Sequence, residues 1–369
     1  MKKTFISASV ASVLALASFG ALAEGPSFYG RLELALTNSQ TGATLQSGTN
    51  GVDTKNYADE NNGGTYLENN FSLLGVKGSE KIAAGYDIVY QMEFQVENTS
   101  GAGEVFKARN TYLGLKTDAG TVLVGRNDTV FKQAEGAVDI FGNTNADIDR
   151  LVTAQTRSAD GVWYYSPKIA DLVTLNANYQ FDDNNDLLID GKPAPATNES
   201  LYALSATLGD SKFKEQNYYA AVAYNKGIAG VDAYRLVGQA KFGQFKVGGL
   251  FQTSESVVDS SVDGNTYFVN VAYDLNGVNL KAQYGVDETG FGSFYKNVNT
   301  TLKADGSSFV NKGTDINVQN LSLGADYRLA KSTMVYGQYA MYRGDHVVAG
   351  NKVDLQDDNV FSVGVRYDF

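Results

Sequence analysis

Along the chain, and most clearly from residue 172 onward, apolar and polar side chains alternate with a period of two. In Val278 to Asp287, the side chains Val278, Leu280, Ala282, Tyr284 and Val286 fall on one face. Asn279, Lys281, Gln283, Gly285 and Asp287 fall on the other. In Leu172 to Phe181, Val173, Leu175, Ala177, Tyr179 and Phe181 oppose Thr174, Asn176, Asn178 and Gln180. Leu321, Leu323, Ala325, Tyr327 and Leu329 repeat the pattern, as do Phe361, Val363, Val365, Tyr367 and Phe369. Only an extended strand puts every second side chain on one face, so these runs cannot be amphipathic helices.

Two kinds of sheet alternate in this way: a sandwich with one face in a core, and a barrel with one face in lipid. Three features select the barrel. The runs are about ten residues long, which suits a tilted strand crossing a bilayer. Their polar faces carry amides and charges, as in a wet interior. Aromatics sit near the ends of the apolar faces, as in Tyr179 with Phe181 and Tyr367 with Phe369, where interfacial girdles belong.

The connections alternate in length as well. Short ones are Thr117-Asp118-Ala119-Gly120, Gly209 to Glu215, Gly243-Gln244, Asn276-Gly277 and Leu329 to Lys331; Asn-Gly is the strongest two-residue hairpin signal. Between them lie polar segments rich in Gly, Asn and Asp at 38–66, 129–157, 182–198, 254–264, 289–316 and 344–357. Counting strands predicts an all-β fold, a sixteen-stranded antiparallel transmembrane β-barrel with short turns at one end and long loops at the other. Alternation blurs in Phe71 to Lys77 and Arg109 to Lys116. A subunit contact or a shifted register would each account for that.

The first 23 residues are expected to be removed. Lys2 and Lys3 precede a short apolar stretch, Phe5 to Phe19, and Ala21-Leu22-Ala23 is a small-residue cleavage site. Residues 1–23 therefore read as a signal peptide and 24–369 as one barrel domain. The chain has no cysteine, so disulfides and thiolate zinc sites are excluded. The formal charge of −11 becomes −13 when Lys2 and Lys3 leave, which argues against a nucleic-acid partner. It points instead to cation preference and to acidic loops that bridge divalent cations to lipopolysaccharide. Motifs for nucleotide, metal or nucleophilic chemistry are absent, and the single histidine, His346, is expected to face solvent. No cofactor, no metal and no enzymatic role is expected.

Several segments then follow in order: Phe28-Tyr29-Gly30-Arg31-Leu32, Leu74-Gly75-Val76-Lys77-Gly78-Ser79-Glu80, Arg109 to Lys116, Gly120 to Arg126, Val162-Trp163-Tyr164-Tyr165-Ser166-Pro167 and the terminal Tyr367-Asp368-Phe369. As an ordered set they resemble the general (non-specific) Gram-negative porin family over essentially the whole mature chain. The resemblance implies an outer-membrane homotrimer through which small hydrophilic solutes and ions diffuse passively, with short turns periplasmic and long loops extracellular. It implies that the third long loop, Asn127 to Thr156, folds inward, with Asp128, Glu135, Asp139, Asp147 and Asp149 facing a basic wall. Arg31, Lys77, Arg109 and Arg157 match that wall, and Phe369 matches a barrel-assembly signal. Two departures matter: Leu73 stands where the family often has arginine, and Asp139-Ile140-Phe141-Gly142 replaces a Pro-Glu-Phe-Gly-Gly segment. A substrate-specific porin, for a sugar for example, is the alternative.

Overall fold

The computed structural model describes residues 25–46, 63–97, 99, 104–181, 188–189, 192–193, 200–302, 308–310 and 313–369. The expected signal peptide lies outside the described residues. Sixteen antiparallel strands close into one barrel. They are β1 Ser27–Ser39, β2 in two pieces (Gly64–Asn69 and Leu73–Ala83), β3 Tyr86–Val96, β4 Phe106–Thr117, β5 Gly120–Asp128, β6 Arg157–Tyr165, β7 Val173–Gln180 and β8 Leu201–Gly209. There follow β9 Tyr218–Lys226, β10 Val231–Phe242, β11 Phe245–Ser256, β12 Asp263–Leu275, β13 Val278–Asp287, β14 Thr314–Arg328, β15 Thr333–Val348 and β16, again in two pieces (Asn351–Asp354 and Asp358–Asp368). β1 pairs with β16 from Arg31 opposite Asp368 to Ser39 opposite Val360. That pairing leaves the sheet without an open edge.

The apolar faces point outward. Leu113, Val269 and Phe361 keep more than half of their surface exposed, at 55%, 61% and 54%. An apolar exterior on this scale is stable only in lipid. Outward aromatics gather at two levels. Tyr202, Tyr224 and Tyr234 run side by side near the long-loop end, with ring centroids 5.9 and 4.6 Å apart. Phe245 and Tyr273 pack at 4.6 Å, and Tyr367 and Phe369 at 6.1 Å, near the short-turn end. Tyr267 and Tyr273 lie on one strand, six residues apart, which is roughly 20 Å at the strand rise. That is close to the apolar band of an outer-membrane barrel, about 25 Å.

The blurred stretches have a local cause. β2 breaks at Asn70-Phe71-Ser72, where Phe71 takes a left-handed φ of 58° and Ser72 Oγ accepts the Glu33 N–H at 2.9 Å. The pairing also slips between Met92 and Phe94 on β3 and between Gly125 and Asn127 on β5. In each case the extra residue lies on the partner strand, at Arg109-Asn110 on β4 and at Ala159-Asp160 on β6, and there the side chains change face. Leu67 and Leu74 on either side of the β2 break, and Phe106 and Leu113 on either side of Arg109-Asn110, all lie outside although an odd number of positions separates each pair. A shifted register is therefore sufficient to explain the blurring.

The two-residue turn Asn276-Gly277 has φ of 52° and 92°, as a type I′ hairpin requires. Two long-loop connections depart from the expected pattern. Within the expected loop 344–357, β15 and β16 extend as a paired ribbon that turns at Ala349-Gly350. β9 and β10 are joined by only four residues, Gly227 to Gly230, held by Asp232, which pairs with Lys226 at 2.6 Å and accepts the Gly227 N–H at 2.8 Å.

Candidate functional site

Residues 129–156 leave the wall after β5 and enter the barrel. The segment opens with a single helical turn, α1 Val130–Gln133, because Thr129 Oγ1 accepts the Lys132 N–H at 3.1 Å. Val130, Phe131, Ala134, Val138, Phe141, Ala146, Ile148, Leu151 and Val152 are buried against inner-wall side chains that include Ala203, Ala221, Ala233, Val237, Leu250 and Phe268. The apolar core of this molecule thus lies between the inserted segment and one side of the barrel.

Polar wall residues tie the segment's backbone in sequence. The Val130 N–H donates to Asn178 Oδ1 at 2.8 Å, Tyr219 OH donates to Ala134 O at 3.0 Å, and the Ala137 N–H donates to Gln239 Oε1 at 3.2 Å. Asn270 donates to Val138 O, Lys281 to Ile140 O at 2.8 Å, and Gln283 to Ala146 O at 3.0 Å. Thr144 Oγ1 donates to Gln338 Oε1 at 3.0 Å, and Tyr342 OH donates to Asn145 O at 2.7 Å. These anchors lie on β7, β9, β10, β12, β13 and β15. Arg235 of β10 holds both legs of the segment. It donates to Phe131 O at 3.2 Å, Gln155 Oε1 at 2.7 Å and Thr153 O at 3.3 Å, and its guanidinium lies 4.2 Å from the Phe131 ring centroid.

Sequence reasoning did not single out Arg235. Its signal is an arginine on the inner face of an otherwise alternating strand, between Ala233 and Val237. The small inner-face residues Ala203, Ala221 and Ala233 likewise mark where something packs against the wall.

Four candidate acids lie on the segment. Asp147 accepts the Asn143 N–H at 2.5 Å and the Asp149 N–H at 2.7 Å. Asp139 accepts the Phe141 N–H at 3.1 Å. Glu135 and Asp149 both accept from Gln155, and Asp149 pairs with Lys132 at 3.7 Å. Burial, then the charge of Asp149, raises the Glu135 carboxyl to about 7. Burial, then Glu135 and Asp149, raises Asp139 to about 8. Asp147 is held well above the carboxylate range by burial, then by Asp139 and Asp149. For Lys132 burial acts downward, but Asp149, Asp128, Glu135 and Asp147 outweigh it and hold the ammonium up. Lumen water reaches the part-covered Glu135 and Asp139, whereas Asp147 is covered.

The fifth acid, Asp128, ends β5 on the wall itself and pairs with Arg157 at 3.1 Å; Arg157 also donates to Asn110. Arg109 pairs with Glu93 at 2.5 Å, and the charges of Arg109 and Arg126 both act on Arg157. Arg31 pairs with Asp368 at 2.9 Å and reaches Glu33 at 4.0 Å; Leu73, in the place of the missing arginine, is its cross-strand neighbour. Lys77 lies 4.9 Å from the Tyr29 ring centroid and lines a cavity of about 470 Å³ with Ser27, Ser79 and Tyr112. The structure therefore gathers Arg109, Arg157 and Asp128 into one wall cluster, joins Lys77 to it through Tyr29, whose OH donates to Glu93 at 2.8 Å, and places Arg31 apart.

Beneath the segment, Asp139 to Thr144 bound a cavity of about 530 Å³ shared with Lys246, Lys281, Asp326 and Arg366. Trp163 packs on the inner wall, fully buried, and donates to Asp128 O at 3.0 Å. His346 corrects the sequence reading: it is 3% exposed and meets Tyr295 OH through Nδ1 at 2.8 Å, because the connection after β13 folds over it. Phe369 exchanges two backbone hydrogen bonds with Gly30, at 2.9 and 3.0 Å.

Among relatives of known function, the major outer membrane protein P.IA of Neisseria meningitidis serogroup C is 26% identical over 331 residues, covering 81% of this chain and 82% of that protein. Among solved structures, the anion-selective porin from Comamonas acidovorans superposes with a TM-score of 0.68 at 18% identity, covering 94% of this chain and 100% of that one. The trimer form of OmpT, an outer membrane protein of Vibrio cholerae, gives 0.61 at 16% identity, again over 94% and 100%. The family model for Gram-negative porins matches residues 8–347. With the closed barrel and its lipid-facing exterior, this establishes that the chain belongs to the Gram-negative porin family and forms an outer-membrane channel.

Proposed function

We propose that the channel passes small hydrophilic solutes and ions by passive diffusion, and that selectivity is set where the inserted segment meets the lumen. The observation that carries this reading is the distribution of the segment's anchors. Most run along β7 to β15, with Asn145 also donating to Thr37 on β1 and Glu68 on β2, so the ion path is left between the segment and the wall of β3 to β6. That wall bears Arg109, Arg126 and Arg157, and the segment presents Glu135, Asp139 and Asp149. Opposed charges across a narrow passage impose a transverse field that favours dipolar and charged solutes over apolar ones. Of the segment's charged side chains, those open to the lumen are three acids, Glu135, Asp139 and Asp149, against one base, Lys132. That balance supports cation preference.

A homotrimer is part of the same reading. From β16 through β5 the outward face is mostly aliphatic side chains and phenylalanine, among them Leu36, Leu67, Leu113, Phe106 and Val363, with tyrosine at Tyr86 and Tyr367. The outward tyrosines that suit a lipid interface concentrate instead on β6 to β14, among them Tyr164, Tyr218, Tyr234 and Tyr267. The short turns are periplasmic and the long loops extracellular, where acidic loops meet lipopolysaccharide through divalent cations. Catalysis has no part in this reading.

The test is single-channel recording in a planar bilayer under a salt gradient. Conductance steps grouped in threes are expected, with a reversal potential of cation-selective sign. Glu135→Gln with Asp139→Asn should move that potential toward zero. An unmoved potential would remove the segment from the ion path, and a saturable block by one sugar would make the channel substrate-specific.

A further inference from the structure

We propose that the channel carries a strap: a short helix in the β13–β14 connection, α2 Ser293–Val298, holds the inserted segment against the wall, and Arg150 is the positioning residue it grips. Arg150 lies in the 3₁₀ turn Ile148–Arg150 and is completely buried. It therefore presents no charge to the lumen. Its guanidinium lies 5.4 Å from the Phe294 ring centroid on α2 and 5.1 Å from that of Tyr342 on β15. The two rings stack on each other at 4.7 Å and 19°. Nη2 donates to Ala43 O in the connection after β1, while Nε and Nη1 have no hydrogen-bond acceptor among the described residues. A buried cation held mainly by ring faces is stable only while those faces stay in place.

The strap is fixed before the helix and within it. Before the helix, Asp287 accepts the Thr289 N–H at 2.8 Å and the Gly292 N–H at 3.3 Å. Within it, Tyr295 OH meets His346 Nδ1 of β15 at 2.8 Å. Contact with the segment is backbone to backbone. A Cβ on Gly292 would fall 2.6 Å from both Arg150 O and Leu151 Cα. Gly292 has a φ of −62°, so an alanine there is conformationally allowed and acts only as a wedge. Two separate connections and a wall strand thus converge on one side chain of the inserted segment. Releasing it should free the segment to move under an applied voltage without changing the charges that ions meet.

This rests on the segment bounding the ion path, a reading that stands or falls separately on the reversal potential of the loop-acid variants. The experiment compares Arg150→Met, Arg150→Lys and Gly292→Ala in planar bilayers, after heat-modifiable gel migration has shown each barrel to be folded. Arg150→Met and Gly292→Ala should close at a lower voltage than the parent and flicker more in the open state, with an unchanged reversal potential. Arg150→Lys keeps a cation over the rings and should restore most of the parent closing voltage. Parent closing voltage and noise in both folded variants would overturn the proposal. So would a closing voltage that changes only together with the reversal potential.

Discussion

Arg235 shows how one buried side chain can organise an inserted segment. It satisfies backbone carbonyls on both legs and two glutamine amides, Gln155 and Gln252, in a space closed to solvent. Arg235→Met keeps much of the bulk and strips these acceptors of their donor. Unsatisfied buried groups cost about 1–3 kcal/mol each, and partial rearrangement should leave a net loss of about 2–4 kcal/mol. The heat-denaturation temperature of the barrel in detergent should fall accordingly, and an unchanged temperature would show that the segment docks without it. The loop acids make a second prediction. Glu135 and Asp139 hold their protons up to about 7 and about 8. Cation preference should therefore rise between about pH 6 and about pH 9 as they ionise, read as a growing reversal potential. The stability sign is opposite. Folded-state values above the ordinary carboxylate range contribute stability that is fully present at low pH and lost as pH rises through 7 and 8. The inserted segment should accordingly be less firmly docked at about pH 9 than at about pH 6.

At the scale of elements, closure depends on a few contacts where the first and last strands meet. The Phe369 backbone completes the β1–β16 ladder at Gly30, and its ring lies where a Gly30 side chain would stand. Deleting Phe369 removes two hydrogen bonds and uncovers Gly30. The expected outcome is a sharp drop in the folded barrel recovered from outer membranes, with unfolded chain accumulating. Normal recovery would limit Phe369 to an ordinary lipid-facing aromatic. The bulges in β4 and β6 matter at the same scale, because they re-aim side chains near Glu93, Arg109 and Arg157 without changing composition.

For the whole molecule, the outward surface divides into a face poor in tyrosine and a tyrosine-rich one, and a matched pair of substitutions separates their roles. Val269 on β12 and Leu113 on β4 are similarly exposed, at 61% and 55%. An arginine in lipid near mid-membrane costs about 2–4 kcal/mol. Val269→Arg should lower barrel stability and leave the oligomer intact, whereas Leu113→Arg should release monomers. Native gel mobility and cross-linking distinguish the two. Monomers from both, or from neither, would contradict the assignment of the subunit interface to β16 through β5.

Much of this architecture was legible in the chain itself. A period of two is a backbone property, so β13 coincides with the alternating run Val278 to Asp287, and Asn276-Gly277 makes the turn its residues demand. The family resemblance rested on ordered local motifs, and these also survive in one dimension. The pairing of charges did not. Whether Asp128 faces the lumen or pairs with Arg157 depends on where a bulge leaves the end of β5. His346 reads as solvated until the connection after β13 closes over it, and no local pattern marks Arg150 as buried. Sequence alone determined the strands, their faces and the membrane they cross, because alternation and turn chemistry act between neighbours. Tertiary structure decided which charges meet and what holds the inserted segment, because those contacts join residues up to 337 positions apart, through a register that local pattern does not encode.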